Sequence, residues 1–393
     1  MNIVGGVYLE ECVTPSWSRI FGSGGRAAAA VSVLSPGSTL VAYAARAWAD
    51  DVRHSMEAFG VKASLVEIEP ELCFSYFHPL SQPELHPPEF PQEPPLQVSG
   101  EAVLRFGFVE GDARIEAERA VFDPQNWAEA LRFRENGSQA AALAVVLNET
   151  ELALSTGSFG PQAVELVMQR NQADVVVVKR GARGALVYEA GVASVVPAYR
   201  SASVFKIGSG DVFSAVFAHH WTERGLDAAQ AADAASQAVS RYVDSRNVQA
   251  DPTGGAAGTP VPPDGPTGPI YLAAPFFNIG QRWVVEEARR ALLGLGAEVF
   301  SPLHDVGVLG GARSIAQGDL EGLRRARAVL AITDSEDAGT LFEVGYARDR
   351  DIPVVVLAES PRVESLTMLE GSGCMVVRDF SSAVFNAVWA AMR

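Results

Sequence analysis

Arg327-Ala-Val-Leu-Ala-Ile-Thr-Asp334 runs without a break into Ser335-Glu-Asp-Ala-Gly-Thr-Leu-Phe-Glu343-Val-Gly-Tyr-Ala347. The first part is an apolar run without alternation, as a strand buried on both faces requires. The second is a turn that opens a helix. Strand, turn and helix in this order form the repeating unit of a parallel sheet covered by helices. Working outward, the unit recurs at PIYLAAP (269–275), AEVFSP (297–302), IPVVVLA (352–358) and CMVVRD (374–379). Between them lie amphipathic segments such as residues 282–293, with Val284, Val285, Ala288, Ala291 and Leu292 on one face. Far upstream, AALAVVL (141–147), DVVVVKR (174–180) and GALVYEA (184–190) repeat the pattern. The sequence therefore predicts α/β architecture with mainly parallel sheets on both sides of a boundary.

That boundary is the stretch NVQADPTGGAAGTPVPPDGPTGP, residues 247–269, where proline and glycine displace apolar periodicity. The chain thus reads as a first domain over 1–246, a linker over 247–269 and a second domain over 270–393. Its 393 residues suit two domains. A second proline-rich stretch, 79–95, with seven prolines, reads as a surface excursion within the first domain. A formal charge of −16 disfavours nucleic-acid and membrane-surface partners and leaves small molecules. Three scattered cysteines (Cys12, Cys73, Cys374), no basic leader and no long apolar run predict a soluble, cytoplasmic protein.

Open parallel sheets place their chemistry at the carboxyl ends of the strands. In the second domain those ends carry Pro275-Phe276-Phe277 after Tyr271, then Asp305, and then Asp334, Glu336, Asp337, Gly339 and Glu343, with Asp319 just before the third strand. On spacing, two roles fit Glu343. It is the reciprocal partner of Thr340 in a helix-capping box, or it is one of several carboxylates crowded so that one stays ionised and another protonated. Glycosyl transfer uses that division. Tyr271 likewise fits a core position as well as a catalytic one.

Residues 270–393 resemble the nucleoside 2-deoxyribosyltransferase family, through YLAAPFF, the Asp319-Leu320 pair before AVLAI, and D-A-G-T-x-x-E-x-G-Y-A from Asp337 to Ala347. The resemblance implies a flavodoxin/Rossmann-like doubly wound parallel sheet, a homo-oligomer and no cofactor for this domain. It implies that Glu343 attacks C1′ of a sugar, that Asp319 contacts the leaving base, that Asp337 holds sugar hydroxyls and that Tyr271 orients the nucleophile. Pro275, Phe276, Phe277, Asp305 and Gly339 would line the substrate site. The family includes N-glycosidases that use water as acceptor, so transferase and hydrolase stay open. The aromatic 274–278 loop favours a nucleoside over a nucleotide.

In the first domain, Lys206-Ile-Gly208-Ser209-Gly210-Asp211 is a glycine-rich turn opening a helix, a form that binds anions. The segment resembles the G-A-G-D signature of the ribokinase (PfkB) family. Gly5-Gly6, Gly24-Gly25, Asn148-x-x-Glu151 and Gly181-Ala-Arg-Gly184 follow in family order. The resemblance implies a three-layer α/β/α ribokinase-like domain using ATP and Mg²⁺. Asp211 would be the base and Gly208, Ser209 and Gly210 the anion hole. Asn148 and Glu151 would hold the metal through waters, Gly181 would sit at the nucleotide, and Gly24 and Gly25 would approach the sugar. Four departures stand out: Ala29 replaces the usual Asn, only Glu10 and Glu11 are candidates for the acidic sugar clamp usual near the first strand, Lys206-Ile207 replaces threonine, and the stretch between Gly6 and Gly22 is short for lid strands. His219-His220 read as ordinary helix residues. Two whole-protein expectations follow. One is a bifunctional enzyme that cleaves or transfers at a glycosidic bond and phosphorylates a sugar or nucleoside. The other is a nucleotide sensor whose degenerate kinase-like domain regulates an N-glycosidase.

Overall fold

The computed structural model describes residues 1–125, 132–250, 258–262 and 268–393. The chain divides into two compact units, one of Met1–Ser201 and Phe205–Pro260, the other of Ala202–Val204 and Val261–Arg393. Within the expected linker, 251–257 and 263–267 lie outside the described residues. In the first unit, Ala250 N–H donates to Ala30 O at 2.9 Å, and Arg200 N–H to Thr259 O at 3.0 Å.

The first unit is built on a nine-stranded sheet. From one edge its strands are Val192–Val196, Ala185–Glu189, Val175–Lys179, Gln139–Asn148, Ala113–Asp123, Leu96–Phe106, Asn2–Val4, Thr39–Ala45 and Lys62–Ile68. The last seven run parallel and the two at the first edge are antiparallel. The parallel strands are nearly all apolar at their centres, so helices cover both faces; Val175–Val178 are all buried.

A second sheet of four strands, Trp17–Ile20, Leu9–Cys12, Cys73–Tyr76 and Glu84–His86, stands apart from the first. The short Gly6–Gly22 stretch thus does form lid-like strands, against the sequence expectation. Two of the four come from residues 73–86, so the proline-rich excursion supplies an edge strand, the place where a sheet tolerates proline nearby.

In the second unit five parallel strands lie in the order Val299–Phe300, Ile270–Ala273, Ala328–Ile332, Val354–Leu357, Met375–Val377. All five were legible as apolar runs. Helices Ile279–Gly294, Ala312–Arg325, Ala338–Asp349 and Phe380–Ala391 flank them. The central strands Ile270–Ala273 and Ala328–Ile332 are buried throughout, and the ends of both open toward the helix that carries Glu343. Among the described residues, no helix is long and apolar enough to cross a membrane.

Candidate active site

The Ala338–Asp349 helix follows the central Ala328–Ile332 strand through a short loop. Its N-cap is Asp337, not Thr340: Asp337 Oδ2 accepts from Thr340 N–H at 2.8 Å and from Thr340 Oγ1 at 3.0 Å. Thr340 is therefore inside the first turn, and a capping box between Thr340 and Glu343 is excluded. Aspartate caps as well as threonine does and stood three residues earlier, so the signal was present in the sequence. Gly339 sits beside this cap, where an added Cβ would lie 3.0 Å from Asp337 Oδ2.

Freed from capping, Glu343 turns to the sheet. Tyr271, fully buried in the neighbouring strand, donates its hydroxyl to Glu343 Oε1 at 2.5 Å. The Tyr271 ring stacks on Phe300, with centroids 5.4 Å apart and planes 17° apart. Phe300 fits there because position 322 is glycine; a Cβ on Gly322 would meet the Phe300 ring at 2.3 Å. Gly322 belongs to the Ala312–Arg325 helix, which also carries Asp319. Sequence reasoning missed Phe300 and Gly322, which lie outside every motif.

Burial pushes the Glu343 carboxyl up to about 7; the charges of Asp319 and Asp337 push the same way, and the Tyr271 hydrogen bond opposes them. Asp319 is also held up by burial, and its Oδ1 is buried without a hydrogen-bond partner. Burial and the Glu343 charge keep the Tyr271 hydroxyl firmly protonated. Thus Tyr271, Asp319, Asp337 and Glu343 come together. The wider acidic crowd does not. Asp334 accepts the N–H groups of Glu359 and Ser360 at 3.2 and 2.7 Å, Glu336 accepts from Ser365 Oγ at 2.5 Å, and Asp305 accepts from Ser301 N–H at 2.8 Å. Each of these holds a loop. Pro275 is buried, Phe276 half-buried and Phe277 exposed, on the loop after the Tyr271 strand.

In the first unit, Gly208 has φ +74° and opens the Ser209–Ala218 helix, with Asp211 in its first turn. Gly210 faces Lys179, whose Nζ would lie 3.5 Å from an added Cβ. Lys179 Nζ itself donates to the fully buried Asp123 at 2.6 Å. Asp211 is not free: Arg26 Nη1 donates to its Oδ2 at 2.8 Å and Gln125 Nε2 to its Oδ1 at 2.7 Å. Gly24 and Gly25 are buried in the Gly22–Val31 helix, and a Cβ on Gly24 would lie 2.5 Å from Gly5 O. Gly181, at φ +56°, starts the short Gly181–Arg183 turn. His219 Nδ1 pairs with Glu223 at 2.7 Å. Gln125 and Arg26 were not foreseen, since no spacing rule links them to Asp211.

These geometries define two open-sheet units, each with a hydrogen-bonded carboxylate in the first turns of a helix. Residues 113–253 match the family model described as pfkB family carbohydrate kinase, and residues 270–384 the one described as nucleoside 2-deoxyribosyltransferase. The chain is therefore a fusion of a ribokinase-like, PfkB-family region with a nucleoside 2-deoxyribosyltransferase-family region, the latter marking a glycosyl-transfer enzyme at family level. No curated protein matches it. Solved structures that resemble it include a ribokinase from Thermotoga maritima, at 16% identity over 62% of this chain and 92% of that chain, TM-score 0.44. Another is a fructokinase from Vibrio cholerae with fructose, ADP and calcium bound, at 16% identity over 63% and 95%, TM-score 0.45. A third is a pyrophosphate-dependent kinase of the ribokinase family in complex with sulfate, at 13% identity over 62% and 95%, TM-score 0.46.

The PfkB family uses ATP and a divalent metal. The lysine-flanked Gly208–Gly210 turn suits phosphate. Asn148 Oδ1 accepts from Glu151 N–H at 2.9 Å and Glu151 Oε2 from Asn148 N–H at 2.7 Å, a capping box that leaves Glu151 Oε1 outside it. Burial also holds the Glu151 carboxyl up, toward its neutral form.

Proposed function

We propose that the second unit breaks the N-glycosidic bond of a nucleoside or nucleotide, with Glu343 as nucleophile. The observation that carries this reading is the 2.5 Å hydrogen bond from buried Tyr271 to Glu343, with the unpartnered Asp319 oxygen nearby. Tyr271 is neutral, so it fixes the carboxylate's orientation without cancelling its charge. The electron pair of the other Glu343 oxygen forms the bond to C1′ while the C1′–N bond breaks and its electrons go to the base. Asp319, held toward its protonated form, supplies the proton or hydrogen bond that the departing base nitrogen needs. A second base or water then attacks C1′ and releases Glu343. Asp337 keeps one oxygen for the helix cap and offers the other to sugar hydroxyls.

The first unit contributes binding of a nucleotide, the phosphoryl-donor class of its PfkB match. Incubation of the full chain with a nucleoside and nucleotide panel, followed by chromatography, tests the glycosidic reading. Free base is the expected product, lost in Glu343→Gln. Absence of base from every nucleoside and nucleotide, or base release that survives Glu343→Gln, defeats it.

A further inference from the structure

The acceptor side of the first unit is filled by the chain's own side chains. Arg26 is 1% exposed. Its Nη1 donates to Glu10 Oε1 at 3.0 Å and to Asp211 Oδ2 at 2.8 Å, and its Nη2 pairs with Glu10 Oε2. With Gln125 on Oδ1, both Asp211 oxygens are taken. A general base must present an oxygen within hydrogen-bond reach of the proton it removes. Here that oxygen faces a guanidinium.

The glycine floors tell the same story. A Cβ on Gly208 would fall 2.1 Å from Arg26 Nε, and one on Gly6 would fall 2.0 Å from the Tyr8 ring. Tyr8 is pinned in turn, donating to Glu110 Oε2 at 2.5 Å. Trp17 and Phe21 flank the guanidinium, with ring centroids 5.9 and 5.5 Å from Arg26 Cζ. The room these two glycines leave above their backbone is filled by Arg26 and Tyr8. A neutral hydroxyl entering here would replace a charge-assisted, buried bond with an ordinary one. It would also leave Glu10 and Arg26 to be re-satisfied without water. The PfkB match begins at residue 113, so Tyr8, Glu10 and Arg26 all lie outside it.

We propose that Arg26 occupies the acceptor's place, so that Asp211 serves as its counter-ion and the unit does not transfer phosphoryl. This site is separate from Glu343, so either reading can fail alone.

The test uses the full chain with Arg26→Met, Asp211→Asn and the double variant. A counter-ion role predicts that each single change lowers Tm on the order of 10 °C, because it leaves buried charge unpaired. The double change should cost clearly less than the sum. A Tm unmoved by Asp211→Asn, or strict additivity, overturns the assignment. Sugars and nucleosides should not accelerate ADP formation from ATP. Any acceptor-dependent ADP formation that Asp211→Asn abolishes makes Asp211 a base and overturns the proposal outright. Should Arg26→Met fail to fold, Glu10→Gln with Asp211→Asn provides a second pair, since each removes one of Arg26's two anions.

Discussion

Asp211 and Glu343 are both carboxylates on a helix that packs beside a parallel sheet, one in each unit. What each one touches sets them apart. Glu343 meets the neutral hydroxyl of Tyr271 at 2.5 Å, whereas Asp211 meets the charged Arg26 at 2.8 Å and Gln125 at 2.7 Å. A neutral donor orients an anion and leaves its charge to be used. A buried cation consumes it. A helix carboxylate thus meets a neutral partner in one unit and a charged one in the other.

The sharpest way to break this comparison is Glu343→Gln. Base release should fall by several orders of magnitude, measured by chromatography, while the fold persists. Stability should shift with a definite sign. Burial pushes the Glu343 carboxyl in the fold up to about 7 from an ordinary 4.5. Its burial therefore costs nothing below about pH 4.5, and the cost grows as pH rises to about 7. The Gln variant should melt higher than wild type above pH 7 and equal it below pH 4.5. A lower Tm at pH 8 would mean that the carboxylate is structural, as Asp211 is proposed to be.

Tyr271→Phe should come next, at roughly a hundredfold loss in kcat, the usual scale for one preorganised donor. The acidic limb of its pH–rate profile should move up, because the lost hydrogen bond favours the ionised form. In wild type that limb should fall near pH 7. An unmoved limb in Tyr271→Phe would detach the hydroxyl from Glu343's titration.

Gly322→Ala should have a smaller effect, on the order of tenfold, since it pushes Phe300 against the Tyr271 ring and a slight misplacement of a catalytic group is costly. KM should move less than kcat. Asp337→Ala should be smallest in stability, about 1 kcal/mol for a lost N-cap, read by denaturant titration. If it abolishes activity as well, the carboxylate oxygen not used in capping is touching substrate.

The five strands of the second unit could be read from PIYLAAP, AEVFSP, RAVLAITD, IPVVVLA and CMVVRD because strands buried on both faces need unbroken apolar runs. The Gly208 turn and the Glu343 helix were legible for the same reason: their residue types answer to local backbone needs. The lid sheet was not. Its strands Leu9–Cys12 and Cys73–Tyr76 pair in parallel across sixty residues of other structure, and half-exposed short strands leave a weak pattern. At the start of the Glu343 helix both Asp337 and Thr340 are capping residue types, and the geometry of one turn chose Asp337.

By itself, the sequence determined two α/β units, their order, the carboxylates available to each and the helix that presents Glu343. These follow from hydrophobic period and turn chemistry, which act over a few residues. Only the tertiary structure decided which partner each carboxylate meets. Tyr271 lies 72 positions from Glu343 and Arg26 lies 185 from Asp211. Pairings at that range are set by how strands order in a sheet and how helices lie on it. Whether a buried carboxylate faces a hydroxyl or a guanidinium is therefore a property of the packed fold.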